Sequence, residues 1–133
     1  MSSQVTKQHY SLQEIIEYDP LCYSEKRLDE WQGLFDERAT IVRVEEGKPI
    51  SSLNVVEAMP EQREYAEENR IFRETWDQVE IKQYGNIAVV KAHYVLTTDH
   101  EIRKGIDILT LCFYEKGWWI TNLTYEQKEF IVR

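Results

Sequence analysis

Residues 76–125, WDQVEIKQYGNIAVVKAHYVLTTDHEIRKGIDILTLCFYEKGWWITNLTY, decide the fold. Runs rich in β-branched and aromatic residues are cut at Gly85-Asn86, Asp99-His100 and Lys116-Gly117, pairs that favour tight turns. The pattern predicts four antiparallel strands over residues 76–84, 87–98, 101–114 and 118–125. Two-residue connections fix register. A turn at Asp99-His100 sets Tyr94 opposite Gly105 and Ala92 opposite Asp107.

Alternation then sorts the side chains onto two faces. One face carries Ala88, Val90, Ala92 and Tyr94, with Gly105, Asp107, Leu109, Leu111 and Phe113, and continues into Trp118, Ile120, Asn122 and Thr124. Its mixture of small and large residues suits packing under helices. The other face carries Val89, Lys91, His93 and Val95, with Ile106, Ile108, Thr110, Cys112, Trp119, Thr121 and Leu123. Apolar groups mixed with polar ones, as here, suit a subunit interface, for which His93, Trp119 and Leu123 are the candidates.

Working outward, Ser11 and Glu14 match a capping box, and Leu12, Ile15 and Ile16 follow at helical spacing. Asp19-Pro20 either restarts the helix, with Asp19 as its N-cap and Pro20 at its first position, or kinks it, and a restart is the favoured reading. Leu28, Trp31, Leu34 and Phe35 share one face of a second helix over residues 25–35. Residues 40–44, TIVRV, read as a strand ended by Glu46-Gly47-Lys48-Pro49. Residues 50–58 fit a strand or irregular chain equally well. A polar helix over 61–70, opening near Pro60, turns Tyr65, Ala66 and Asn69 inward. Residues 1–10 form a loose tail, and 11–133 one α+β domain.

The 133 residues suit one domain with its own core. A formal charge of −8 argues against nucleic acid, which needs clustered Lys and Arg, and against anionic membrane surfaces. Met1 to Tyr10 holds no apolar run of the kind a signal peptide needs, and no segment approaches the roughly 18 apolar residues of a membrane helix. Cys22 and Cys112 stand far apart with no Cys/His grouping, which fits free thiols in a reducing cytoplasm. His9, His93 and His100 show no ligand spacing, so neither a metal site nor a cofactor is expected.

Three passages together resemble the nuclear-transport-factor-2-like superfamily, whose members include ketosteroid isomerases and polyketide-cyclase-like proteins. They are Trp31 with Leu34-Phe35-Asp36-Glu37-Arg38-Ala39-Thr40, then Gly85-Asn86-Ile87-Ala88-Val89-Val90, then Lys104-Gly105-Ile106-Asp107-Ile108-Leu109-Thr110-Leu111 leading to Gly117-Trp118-Trp119-Ile120. Order and spacing match over residues 11–126. The resemblance implies a strongly curved sheet wrapped around N-terminal helices as a cone, an apolar pocket at one end, and a homodimer through the outer sheet face. It does not carry a function, because the superfamily holds isomerases, cyclases, hydrolases and non-catalytic modules.

Asp107 is the most informative residue for chemistry. Among Leu109, Leu111 and Ala92, below Tyr94, its carboxyl loses hydration, which favours the neutral form and suits a proton shuttle or hydrogen-bond donor. Accepting hydrogen bonds from Tyr94, Thr124 or a backbone amide, or pairing with Arg103, is the plain structural alternative. Other pocket candidates are Tyr18, Tyr23, Trp31 and Arg43 from the first half of the chain. Ala92, Leu109, Trp118, Asn122 and Thr124 join them from the sheet. A ketosteroid isomerase also needs a second carboxylate; the first strand offers Arg43, with acids only at Glu45 and Glu46. Arg43 suits a substrate carboxylate, or an ordinary ion pair. The first reading is therefore a domain that binds a small uncharged or weakly acidic molecule without turnover. The alternative is an acid/base enzyme of cyclase, isomerase or dehydratase type, with Asp107 and Tyr94 catalytic and Asn122 orienting.

Overall fold

Ser11 Oγ accepts from the Glu14 amide at 3.1 Å and Glu14 Oε1 from the Ser11 amide at 2.9 Å. This reciprocal pair starts helix α1, Leu12–Ser24, in a computed structural model that describes residues 9–133. The helix does not restart at Asp19-Pro20; it runs through Pro20. Ile15, Asp19, Cys22 and Tyr23, at helical spacing, form one buried stripe whose packing offsets the backbone hydrogen bond that Pro20 cannot donate. Asp19 is thereby turned inward and caps nothing.

Lys26, at φ 59°, breaks the chain before α2, Leu28–Gln32, so this helix is shorter than the expected 25–35, and Phe35 already belongs to a strand. Strands β1, Phe35–Glu45, and β2, Lys48–Asn54, form a hairpin. Residues 50–58 resolve into the end of β2 and the start of α3, Val55–Glu67. A second capping box, Asn54 with Glu57, sets that start, and Pro60 lies inside the helix. The meander follows as β3, Phe72–Tyr84, β4, Ile87–Thr98, β5, Glu101–Tyr114, and β6, Gly117–Val132. Both β4 and β5 end where alternation placed their ends. β3 begins earlier and β6 ends later than expected. The last turn pair is Glu115-Lys116, both left-handed at φ 49° and 70°, rather than Lys116-Gly117.

The strands form one sheet in the order β2-β1-β6-β5-β4-β3, parallel between β1 and β6 and antiparallel elsewhere. α1 packs on β3 at one edge, α3 on β1 near the other, and α2 touches both helices. A sheet whose two ends meet one helical layer must curl around it, and shifts of register within β1, β3 and β6 supply the bends. The core fills the concave side, with Ile15, Leu34, Leu109, Leu111 and Ile120 almost fully buried.

Of the expected tail, residues 1–8 lie outside the described residues. Tyr10 is half-buried, its carbonyl accepting from the Trp118 amide at 3.0 Å and its ring edge-on to Tyr18. Cys22 and Cys112 are free thiols. Among the described residues no helix is long and apolar enough to cross a membrane.

Candidate functional site

The expected register is observed: Tyr94 pairs with Gly105 and Ala92 with Asp107. On β6 the expected face fails beyond Ile120. Leu111 pairs with Ile120 but Thr110 with Asn122, so Thr121 is an extra residue. One extra residue inverts every later side chain. Leu123, Tyr125 and Gln127 therefore face inward. Asn122 and Thr124 bond each other outside, and Asn122 also holds Thr40 Oγ1 at 2.8 Å.

With this register, inward side chains form rows across the sheet. One row is Arg43, Tyr125, Asp107 and Ala92, from β1 through β6 and β5 to β4. The next is Glu45, Gln127, Gly105, Tyr94 and Trp76. Arg103, Leu96 and Glu74 continue across β5, β4 and β3. Gly105 is the small member that Tyr94 needs. A Cβ there would collide with the Glu126 carbonyl and come within 2.7 Å of Tyr94 Oη. Gly105→Ala is expected to lower stability by about 1–3 kcal/mol, read as a fall in melting temperature.

These rows and the helices enclose a cavity of about 250 Å³. Tyr23, Trp31, Tyr65, Tyr94 and Tyr125 give it aromatic walls, and Ile41, Leu96 and Leu123 aliphatic ones. Four carboxyl groups line it: Asp19 from α1, Glu74 from β3 and Asp107 from β5, with exposed Glu61 from α3 on the solvent side. The Trp31 indole N–H donates to Asp19 Oδ1 at 3.0 Å, and Asp19 Oδ2 is buried without a partner. From β3 the Trp76 indole N–H reaches across β4 to Asp107 Oδ2, also at 3.0 Å. Small Ala92, directly opposite Asp107, leaves room for that span. Asp107 itself lines the cavity. Tyr23 Oη donates to Gln62 Oε1 at 2.6 Å at the α3 wall.

Burial pushes Asp19 up to about 7 and the Asp107 carboxyl well above its ordinary range, where repulsion from Asp19 adds to the rise. Glu74 is raised well above its range too, by burial and then by Asp107 and Asp19. Asp19 and Asp107 each accept an indole N–H that favours the ionised form; Glu74 has no such donor. Asp19 is thus near its midpoint at neutral pH, and burial favours the protonated form of Glu74 and Asp107 in the same direction.

Of the residues expected to line a pocket, Tyr23, Trp31, Arg43, Tyr94 and Asp107 stand on this wall. The others do not. Tyr18 packs on Tyr10, Trp118 on Phe113, and Asn122 and Thr124 lie outside. Ala92 and Leu109 face inward but are covered, at 0% and 1% exposure. Of the interface candidates, Leu123 is corrected to the cavity wall by the Thr121 bulge. Trp119 is buried within the chain, its indole N–H donating to the Tyr114 carbonyl at 3.1 Å. His93 remains half-buried on the outer face.

Asp19, Glu74 and Tyr125 escaped the sequence reading. An acid at a core position of α1, between Ile15 and Tyr23, was the available sign of the first. The alternation Phe72, Glu74, Trp76 was that of the second.

No protein-family model and no curated protein matches the chain. Solved structures do. A protein from Novosphingobium aromaticivorans assigned as a scytalone dehydratase superposes with a TM-score of 0.77 at 9% identity, over 92% of this chain and 85% of that one. A type 2 hexachlorocyclohexane dehydrochlorinase, LinA, gives 0.75 at 6% identity, over 92% and 86%. An NTF-2-like protein of unknown function from Shewanella oneidensis gives 0.70 at 14% identity, over 86% and 95%. The architecture and these likenesses agree: the chain has the nuclear-transport-factor-2-like, cystatin-like cone fold.

Proposed function

We propose that the cavity binds a small, largely apolar organic molecule and moves a proton on it, in an elimination or isomerisation beside a carbonyl group. The observation that carries this reading is Asp19 and Glu74 beside Asp107 on one aromatic-walled cavity, where the sequence offered only Asp107. Burial favours the protonated form of Asp107, and from the cavity wall that form can donate to an oxygen that gains charge. Asp19, ionising near pH 7, is matched to accept a proton at neutral pH. The Trp31 and Trp76 indoles hold the two carboxyl groups in place. Two similar structures bear names of eliminating enzymes, a dehydratase and a dehydrochlorinase. At 9% and 6% identity these names lend direction, and the residues above carry the argument.

The test follows carbon-bound protons directly. Cyclic ketones such as 2-tetralone and cyclohexenone, incubated with the protein in deuterated buffer, are expected to exchange α-protons faster than in buffer alone, read by NMR. Exchange at the buffer rate for the whole panel overturns proton transfer and returns the domain to ligand binding without turnover.

The outer face of β4 and β5 belongs to the same reading as the surface of a homodimer. Val89, Val95, Ile106 and Ile108 leave an apolar row there half-buried in the single chain. Trp119 is already covered, so Ile108→Glu is the better probe. Sedimentation is expected to give a dimer for the wild-type protein and a monomer for Ile108→Glu; two monomers exclude it.

A further inference from the structure

The cavity has two chemically different ends. Asp19 and Asp107, at 3% and 6% exposure, mark the closed end. Arg43 and Arg103, whose side chains are 34% and 25% exposed, line the same cavity towards solvent, as does the exposed acid Glu61 of α3. Arg43 lies directly across from Tyr125 on the neighbouring strand, and Tyr125 directly across from Asp107. The phenol thus stands between the cationic end and the acidic one. Both guanidinium groups are near enough to oppose the rise that burial imposes on its ionisation.

Each arginine is fixed but not saturated. Arg43 pairs with Glu45 through Nη2, while its Nε is buried with no hydrogen-bond partner. Arg103 donates through Nε to Glu101 at 2.8 Å, and its guanidinium lies 5.3 Å from the Tyr65 ring centre and 5.5 Å from that of Phe130. A guanidinium has five N–H donors in a rigid fork. The bonds described use few of them, and a buried donor without an acceptor costs about 1–3 kcal/mol. A compact oxyanion satisfies these donors. An exposed arginine on a chain of net charge −8 needs no such arrangement, but two arginines fixed over one cavity suit recognition.

We propose that the solvent end of the cavity is a carboxylate subsite, in which Arg43 and Arg103, beside Tyr125, hold an anionic group of the ligand while its neutral end reaches Asp107. The ligand class is then an aromatic or alicyclic monocarboxylate. This deepens the proton-transfer reading by naming the substrate class, and it rests on the same cavity being the ligand site.

Binding of two isosteric probes, 2-naphthoate and 2-naphthamide, tests the subsite without any turnover. Calorimetric titration at pH 7.5 is expected to show naphthoate binding at least tenfold more tightly to the wild-type protein. In Arg43→Leu and Arg103→Leu that preference is expected to fall below threefold, with naphthamide affinity unchanged within twofold; the latter shows that the cavity is still folded. Asp107→Asn is expected to keep the preference. Equal wild-type affinities, a preference that survives both arginine substitutions, or no binding of either probe overturns the subsite. Proton exchange on neutral ketones fails or succeeds independently, so the two readings are separable.

Discussion

Asp19→Asn is expected to melt at least about 5 °C above the wild-type protein at pH 8, and at nearly the same temperature below pH 4. The folded carboxyl ionises near pH 7 against an ordinary value of 3.8. Between those values the folded protein holds a proton that the unfolded chain releases, so stability falls as pH rises across the window. Above pH 7 the loss is complete and amounts to about 4 kcal/mol. Asparagine removes it. Its Oδ1 still accepts from the Trp31 indole, and its Nδ2 replaces the acid's hydroxyl. Glu74 and Asp107, acids that share the cavity, are raised by the same burial, so their contributions run in the same direction and do not reverse the sign. One kcal/mol shifts the midpoint of a domain of this size by roughly 3–5 °C, so even a fraction of the full effect is measurable. The same substitution is expected to slow α-proton exchange, because the group that costs stability is the one ionising at working pH. Thermal melts from pH 3 to 9 check it; a wild-type curve flat between pH 4 and 7 excludes a buried Asp19 of this kind.

How much of this was legible in the sequence depended on whether the signal was local. The β4–β5 hairpin is bounded by a two-residue turn and alternates without interruption, so Tyr94, Gly105, Ala92 and Asp107 could be placed opposite one another from residues alone. Thr121 gave no such sign. It lies among Asn122 and Thr124, polar residues that fit either face, and a bulge there is decided by bonds to Thr110 and Thr40 from other strands. Tyr125 and Leu123 were lost with it. Asp19 was hidden by Pro20, a residue that ends most helices but is tolerated where a buried stripe continues past it. Glu74 precedes Trp76, where the expected strand began, and only its partner Leu96 on β4 shows that the strand has already started. The fold was therefore readable, and five of the sixteen residues of the cavity wall with it. The acidic pair that changes the functional reading comes from long-range packing.

Asp107→Leu is expected to slow α-proton exchange about 10²–10³-fold, with Asp107→Asn retaining a larger share. The size follows from the role: removing one donor aimed at a developing oxyanion costs about that much in a site shielded from water. Leucine nearly matches the volume and donates nothing. Asparagine keeps a donor but cannot give up a proton, and it still accepts from the Trp76 indole. A rate for Asn between the wild-type and Leu values assigns hydrogen bonding; equal losses in both assign transfer of the proton itself. The wild-type profile is expected to be bell-shaped. Its acid limb rises through about pH 7 as Asp19 ionises, and its alkaline limb falls as Asp107 loses its proton. Asp19→Asn removes the acid limb and Asp107→Asn the alkaline one. Rates for both Asp107 variants within twofold of wild type, at pH 7.5 and saturating ketone, leave Asp107 a structural acceptor for Trp76 and sink its part in the chemistry.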